Sequence, residues 1–310
     1  MSGNAITICG PTASGKTTLA VRVARALGGE VLSADSRQVY RGMDIGTGKD
    51  LGEYGILGAD DFIPYHLIDI VDPSQIYTLY DYQQEFHRAF NGVVGRGRLP
   101  VIVGGSGLYI EAVLKGYRLP EVPEDVEFRK SMMEETREAL LAMLEKESPQ
   151  ILADTDISSK KRIIRALEIA RANAGAVCER PPSPRIDSLV LYVVWERFAL
   201  RARIEKRLHD RIREGLVDEV AGLLNSGIDR GRFALFGMEY KHVARYIDGI
   251  VGFDEMMSQL LQDIYHLAKR QDTWFRGMER RGMTVHPILR GDYETAMEVI
   301  RKNNLILSRA

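Results

Sequence analysis

The octapeptide Gly10-Pro11-Thr12-Ala13-Ser14-Gly15-Lys16-Thr17 constrains this chain more than any other feature. It matches the phosphate-binding pattern G-x-x-x-x-G-K-[ST] in full. The apolar run Ala5 to Cys9 precedes it and a helical pattern over Thr18 to Leu27 follows, the strand-loop-helix setting that the pattern requires. In such a loop the backbone N–H groups and the helix N-terminus converge on an anion, Lys16 adds a point charge, and the Thr17 hydroxyl is suited to Mg²⁺. Residues 10–17 are therefore expected to cradle a di- or triphosphate. The motif leaves open whether that phosphate is transferred, hydrolysed or expelled as a leaving group.

Short β-rich runs alternate with helical patterns through the first 115 residues. Ala5 to Cys9, Val31 to Ala34, His66 to Ile70 and Val101 to Val103 read as strands, and Thr18 to Leu27 and Tyr80 to Gly92 as intervening helices. This alternation predicts an α/β fold, a P-loop NTPase-like parallel sheet with helices on both faces. Glu124 to Glu147 and Lys160 to Ala174 read as helices, Leu189 to Trp195 as a returning strand, and Ala199 to Arg213, Val217 to Asn225, Lys241 to Tyr246 and Phe253 to Arg276 as later helices. The expected organisation is a core over 1–117, a helical insertion over 118–157, and a basic helix, returning strand and C-terminal helices over 158–310.

The near-neutral charge hides an asymmetry: residues 1–157 hold 15 Lys and Arg against 23 Asp and Glu, whereas 158–213 hold 14 against 6. A basic band of this kind suits an extended polyanion as well as it suits a solvated arginine-rich helix face. No run approaches the roughly 18 apolar residues of a membrane span. With a strand expected within five residues of the first, neither a signal peptide nor a membrane partner is expected, and a cytoplasmic location is. Cys9 and Cys178 are too few for a metal site and suggest no redox chemistry.

A second candidate segment, Ser33-Ala34-Asp35-Ser36-Arg37-Gln38-Val39-Tyr40, follows the second strand, and so starts at the sheet edge where α/β proteins bind ligands. Asp35 is placed to act on an acceptor that meets the phosphorylated donor; a helix N-cap is the structural alternative. No strand ends in the apolar-run-plus-Asp arrangement of a water-activating NTPase, because the run ending at Val103 enters Gly104-Gly105-Ser106-Gly107 directly. That second glycine turn allows close backbone approach and offers the Ser106 hydroxyl.

These segments together resemble the tRNA dimethylallyltransferases. The resemblance rests on Gly10 to Thr17, Ser33 to Lys49, His66-Leu67-Ile68-Asp69, Asp72-Pro73-Ser74 and Val103 to Tyr109. It continues through Arg162, Arg165-Ala166-Leu167-Glu168, Arg203-Ile204-Glu205-Lys206-Arg207 and Ala268 to Arg276. It implies transfer of the five-carbon group of dimethylallyl diphosphate to N6 of the adenosine 3′ of the anticodon, with Mg²⁺ and the tRNA anticodon stem-loop as partners, and a monomer is expected. Asp35 matches the family's general base and, with Lys16, Thr17 and Arg207, forms the expected catalytic set. Asp35, Ser36, Arg37 and Gln38 are expected at the target nucleotide, Ser106 as a further tRNA contact, and Ser158, Ser159, Lys160, Lys161 and Arg162 at tRNA phosphates.

The chemistry agrees with that expectation. An allylic diphosphate ionises readily once its leaving group is stabilised, and an exocyclic adenine amine needs a base to take its proton. Trp274, Phe275 and His66 read more simply as packed or hydrogen-bonded structural residues. The tract Lys269-Arg270 with Arg276, Arg280 and Arg281 reads as a solvated helix end. One departure stands out: Glu239 occupies a position that is usually glycine in Gly237-Met238-Glu239-Tyr240-Lys241, costly if the backbone there takes a positive φ or meets RNA. An adenylate dimethylallyltransferase, a P-loop small-molecule kinase and a non-catalytic RNA binder are the alternatives.

Overall fold

The computed structural model of the chain describes residues 3–117, 119, 121–122, 124–173 and 183–303. These described residues fall into two compact units, one within 1–117 and 184–310 and one within 118–183.

In the first unit, β1 (Ala5–Cys9) is buried at every position and runs through the phosphate loop into α1 (Lys16–Leu27). Gly28, at φ 65°, closes α1 in the left-handed conformation that glycine adopts without strain. β2 (Gly29–Ser33) and a two-residue β3 (Tyr65–His66) follow. The third strand is shorter than the expected run to Ile70, because Leu67 and Asp69 take φ of 66° and 57°, which no ladder accommodates. α2 (Leu79–Gly95) opens with a reciprocal capping box between Thr78 and Asp81. β4 (Leu99–Gly104) then leads through the second glycine turn into α3 (Gly107–Leu114).

The second unit holds α4 (Val126–Glu134), α5 (Arg137–Glu147), α6 (Pro149–Asp154) and α7 (Lys160–Asn173). The single helix expected over 124–147 is two, because Glu135 is extended and the Thr136 side chain starts α5 by accepting from Ala139 N–H. The unit also reaches further along the chain than the 118–157 expected. The apolar stripe Ile163, Ile164, Leu167 and Ala170 of α7 packs with Leu140 and Leu144 of α5, so α7 completes this small core rather than that of the sheet. Glu168, also on α7, is buried and accepts a bidentate pair from Arg129 at 2.7 Å, with Arg165 at 2.9 Å. Ala174 and Cys178 lie outside the described residues.

The chain returns to the first unit with β5 (Ser188–Val194), α8 (Arg197–Glu214) and α9 (Leu216–Asn225). A short α10 (Phe233–Phe236), α11 (Met238–Ile247) and the long α12 (Phe253–Arg280) follow. β6 (Val285–Leu289) and α13 (Tyr293–Lys302), neither of them expected from the sequence, complete the unit. The sheet order is β3-β2-β4-β1-β5-β6 and every pairing is parallel. β1, β2 and β4 are buried at each residue, as strands covered on both faces must be.

Two apolar clusters line the sheet, one through Ile6, Ile8 and Val101 and the other through Cys9, Leu32 and Ile102. A third gathers α8 to α12 around Tyr40 and Met43. Because β4 lies between β1 and β2, three loops leave the same C-terminal edge side by side: the phosphate loop, the Gly104–Gly107 turn and the Asp35 segment. Among the described residues, no helix is long and apolar enough to cross a membrane.

Candidate active site

The phosphate loop alternates left-handed Ala13 (φ 59°) and Gly15 (φ 83°) with ordinary backbone, the kind of curvature that turns successive N–H groups toward an anion. Its outer atoms are pinned by residues from other elements. Trp195 Nε1 donates to Ser14 O at 2.9 Å and Arg203 Nε to Ala13 O at 2.8 Å, with the Arg203 guanidinium 4.5 Å from the Trp195 ring. Thr12 N–H donates to Gln271 Oε1 at 2.9 Å. Lys16 Nζ donates to Pro11 O at 3.3 Å. Burial lowers the Lys16 ammonium to about 8, Arg207 adds repulsion, and Asp35 and Asp50 oppose both. Cys9, wholly buried under the loop, has its thiol pushed up by the same desolvation.

Asp35 begins the second wall. Its Oδ1 accepts from Arg37 N–H at 2.9 Å. The segment is held from β4: Ser106 N–H donates to Ala34 O at 3.2 Å, and Ser36 N–H to Ser106 Oγ at 3.1 Å. Gly104 is required here, since a Cβ would stand 2.0 Å from Ala34 O. Gln38 reaches back to Ser33 Oγ at 3.0 Å and donates to Gly48 O at 2.9 Å.

The stretch from Asp44 to Asp50 forms the third wall, and two charged side chains hold it, the half-buried Glu219 and the fully buried Lys49. Glu219 of α9 accepts N–H bonds from Asp44 (2.7 Å), Ile45 (2.8 Å) and Gly46 (3.0 Å) and the Tyr240 hydroxyl (2.7 Å). Lys49, with no exposed surface, donates to Tyr40 O at 2.8 Å, to Asp44 at 2.6 Å and to Asp69. From α8, Arg207 pairs with Asp50, not with Glu205 or Asp210 as a simple surface bridge would. One turn on, Arg211 lies 3.7 Å from Glu239. Burial pushes the Glu239 carboxyl up and the Arg211 guanidinium down, each opposed by the other's charge.

These walls enclose one cavity of about 750 Å³, lined by Thr12 to Thr18, Asp35 to Gln38, Ser106 and Arg207 together with Asp50, Glu53, Arg211, Glu239, Arg270 and Gln271. Of the expected residues, Lys16, Thr17, Asp35, Ser36, Arg37, Gln38, Ser106 and Arg207 converge on it. Gly10 and Pro11 belong to the loop's backbone without lining it. Ser158, Ser159, Lys160, Lys161 and Arg162 belong to the other unit, at the start of α7. There Lys160 Nζ donates to Met133 O at 2.6 Å, Arg162 pairs with Asp156, and Lys161 is exposed.

Arg270 is not simply part of a solvated helix end, because it lines the cavity. Arg281 docks on the buried Glu111 at 2.7 Å. Phe275 is core, Trp274 packs against it, and His66 bonds Glu30 at 2.7 Å. Asp50, Glu53 and Glu219 carry no local signal, since each acts through a partner far along the chain. Glu239 takes no positive φ: it sits in the first turn of α11, and the unusual φ of 134° belongs to Gly237.

Among the described residues, no group of three or more His, Cys, Asp or Glu side chains is built to hold a metal. A Mg²⁺ bound through substrate phosphates needs fewer protein donors. Thr17 lines the cavity. Glu53 Oε1 accepts from Thr18 at 3.0 Å, and its Oε2 is buried with no hydrogen-bond partner, an acceptor suited to a coordinated water. The residues present fit such an ion.

A family model described as IPP transferase matches residues 38–278, and one described as isopentenyl transferase matches residues 3–54. The chain is 48% identical over 304 residues to tRNA dimethylallyltransferase 1 of Syntrophus aciditrophicus, covering 98% of this chain and 99% of that one. It is 46% identical over 306 residues to tRNA dimethylallyltransferase 1 of Geotalea uraniireducens, with the same shares covered. The solved structure of a full-length tRNA isopentenylpyrophosphate transferase from Bacillus halodurans superposes with a TM-score of 0.70 at 34% identity, covering 99% of each chain. A eukaryotic dimethylallyltransferase acting on tRNA shares the fold, with a TM-score of 0.78 at 21% identity over 100% of this chain and 81% of that one. With near-complete coverage by such relatives and the matched family model spanning most of its length, the chain belongs to the tRNA dimethylallyltransferase family.

Proposed function

We propose that the chain transfers the dimethylallyl group of dimethylallyl diphosphate to N6 of the adenosine 3′-adjacent to a tRNA anticodon, acting as a cytoplasmic monomer. The observation that carries this reading is the convergence of the Asp35 carboxylate and the phosphate loop on one cavity of about 750 Å³, a volume suited to a prenyl diphosphate and one base.

In this reading the loop N–H groups, Lys16 and Arg207 bind the diphosphate and stabilise the charge that develops as the allylic C–O bond breaks. Thr17 would hold Mg²⁺, which when bound neutralises further charge on the leaving diphosphate. The N6 lone pair forms the new C–N bond and Asp35 takes the amine proton, so the products are the prenylated base and diphosphate. The base leaves its stack to enter the cavity, where Ser36, Arg37, Gln38 and Ser106 position it. Ser158 to Arg162 grip anticodon stem-loop phosphates.

The test is transfer of label from dimethylallyl diphosphate with Mg²⁺ to unmodified tRNA, with AMP in parallel. Label in tRNA is expected; label in AMP only would reassign the acceptor, and label in neither would overturn the activity. Asp35→Asn is expected to lower the rate roughly a hundredfold or more, the scale of one general base.

A further inference from the structure

The donor cradle and the acceptor wall belong to different strands, and nothing in either segment by itself sets the distance between them. β1 ends in the phosphate loop, β2 ends before Asp35, and the end of β4 lies between, with Cys9 opposite Gly104 and Ser33 opposite Val103. One side chain from a fourth element spans this gap. Gln271, on α12, accepts from Thr12 N–H at 2.9 Å and donates through Nε2 to Gly105 O at 3.1 Å. Gly105 adjoins Ser106, whose Oγ accepts from Ser36 N–H at 3.1 Å, next to Asp35.

We infer that Gln271 is a positioning residue that sets the separation between the diphosphate cradle and the Asp35 carboxylate, a role that rests on the transfer reading above. A primary amide suits the task because it carries an acceptor and a donor on one rigid plane, matched to an N–H on one loop and a C=O on the other. Two packing facts show how closely α12 lies against that turn. A Cβ at Gly105 would stand 2.5 Å from Gln271 Nε2, so only glycine admits the contact. Three residues along the helix, Trp274 lies so close to Gly107 that a Cβ there would meet its ring at 2.2 Å. Thus α12 is seated on both sides of the Ser106 turn.

In-line transfer depends on the spacing of donor carbon, N6 and base, and a misplacement of about 1 Å can cost roughly a hundredfold in rate. Binding of diphosphate alone depends on the cradle and not on this spacing.

The experiment compares the full-length wild-type chain with Gln271→Met, which keeps length without either bond, and Gln271→Asn, which is too short to hold both. Single-turnover transfer to tRNA, the KM for dimethylallyl diphosphate, and the Kd for inorganic pyrophosphate with Mg²⁺ are measured for each. The expected result is a rate lower by roughly tenfold to a hundredfold in both variants, with KM and pyrophosphate Kd within about twofold of wild type. In a double-mutant cycle, Gly105→Ala, whose Cβ would displace the same amide, should add little to Gln271→Met.

An unchanged rate would overturn the inference, as would a pyrophosphate Kd that weakens in step with the rate, or full additivity with Gly105→Ala. If Gln271→Met does not fold, the same three readouts on Gln271→Asn decide the matter. Absence of transfer by the wild-type chain overturns the transfer reading itself and is seen before any variant is compared.

Discussion

Lys16 shows how a charge can be both needed and penalised. Its ammonium is lowered to about 8 by burial and by Arg207, whereas a bound diphosphate favours the protonated form. Binding therefore takes up a proton once the free protein has lost one, and affinity falls as pH rises through 8. Calorimetry of pyrophosphate binding between pH 7 and 9.5 should show a loss of up to about tenfold per pH unit relative to Lys16→Met, a comparison that cancels the ligand's own titration. Glu239 presents the opposite balance, a carboxyl raised by burial and retained beside Arg211. Glu239→Ala leaves that guanidinium, only 10% exposed, without its carboxylate. The urea midpoint should fall by an amount corresponding to about 2 kcal/mol, and Glu239→Gln should cost less because its amide oxygen still accepts.

At the scale of elements, the loops that make the site are shaped from outside themselves. The wall from Asp44 to Asp50 has little regular structure, and its conformation comes from the Glu219 carboxylate gathering three successive N–H groups and a tyrosine hydroxyl. Glu219→Ala removes the shared acceptor of four donors, not all of them buried, and should lower unfolding free energy by about 2 kcal/mol, while Tyr240→Phe, which removes one donor, should cost about 1 kcal/mol. Both are read from denaturant midpoints. Gly46 shows the same dependence, since a Cβ there would meet the Tyr240 ring at 2.5 Å. The phosphate loop is likewise held by Trp195, Arg203 and Gln271, which lie in β5's continuation, α8 and α12.

Over the whole molecule, the basic band divides between two units with separate cores. If α7 grips tRNA phosphates, its residues should not contribute equally, because Lys160 and Arg162 are already engaged within their unit and Lys161 is exposed. Lys161→Ala should lower the slope of log K against log salt for tRNA by about one contact's worth, roughly 0.7 to 0.9, and Lys160→Ala by less. Filter binding from 50 to 300 mM salt would show the difference.

The amino-acid sequence determined the α/β class, the phosphate loop, the Asp35 segment and the family, because each is written in contiguous residues whose spacing has a local physical meaning. It also placed Arg207 at the site, through the resemblance, but not its pairing with Asp50. Only the tertiary structure decided that α7 completes the inserted unit, that β6 and α13 close the first unit, and that Glu219, Lys49 and Gln271 shape the cavity. For these three side chains the reason is the same. A side chain that acts by satisfying a backbone group 9 to 259 residues away shows nothing of that role in its local sequence, even where, like Lys49 and Gln271, it stands inside a segment of the resemblance; the role exists only once the fold brings the two together.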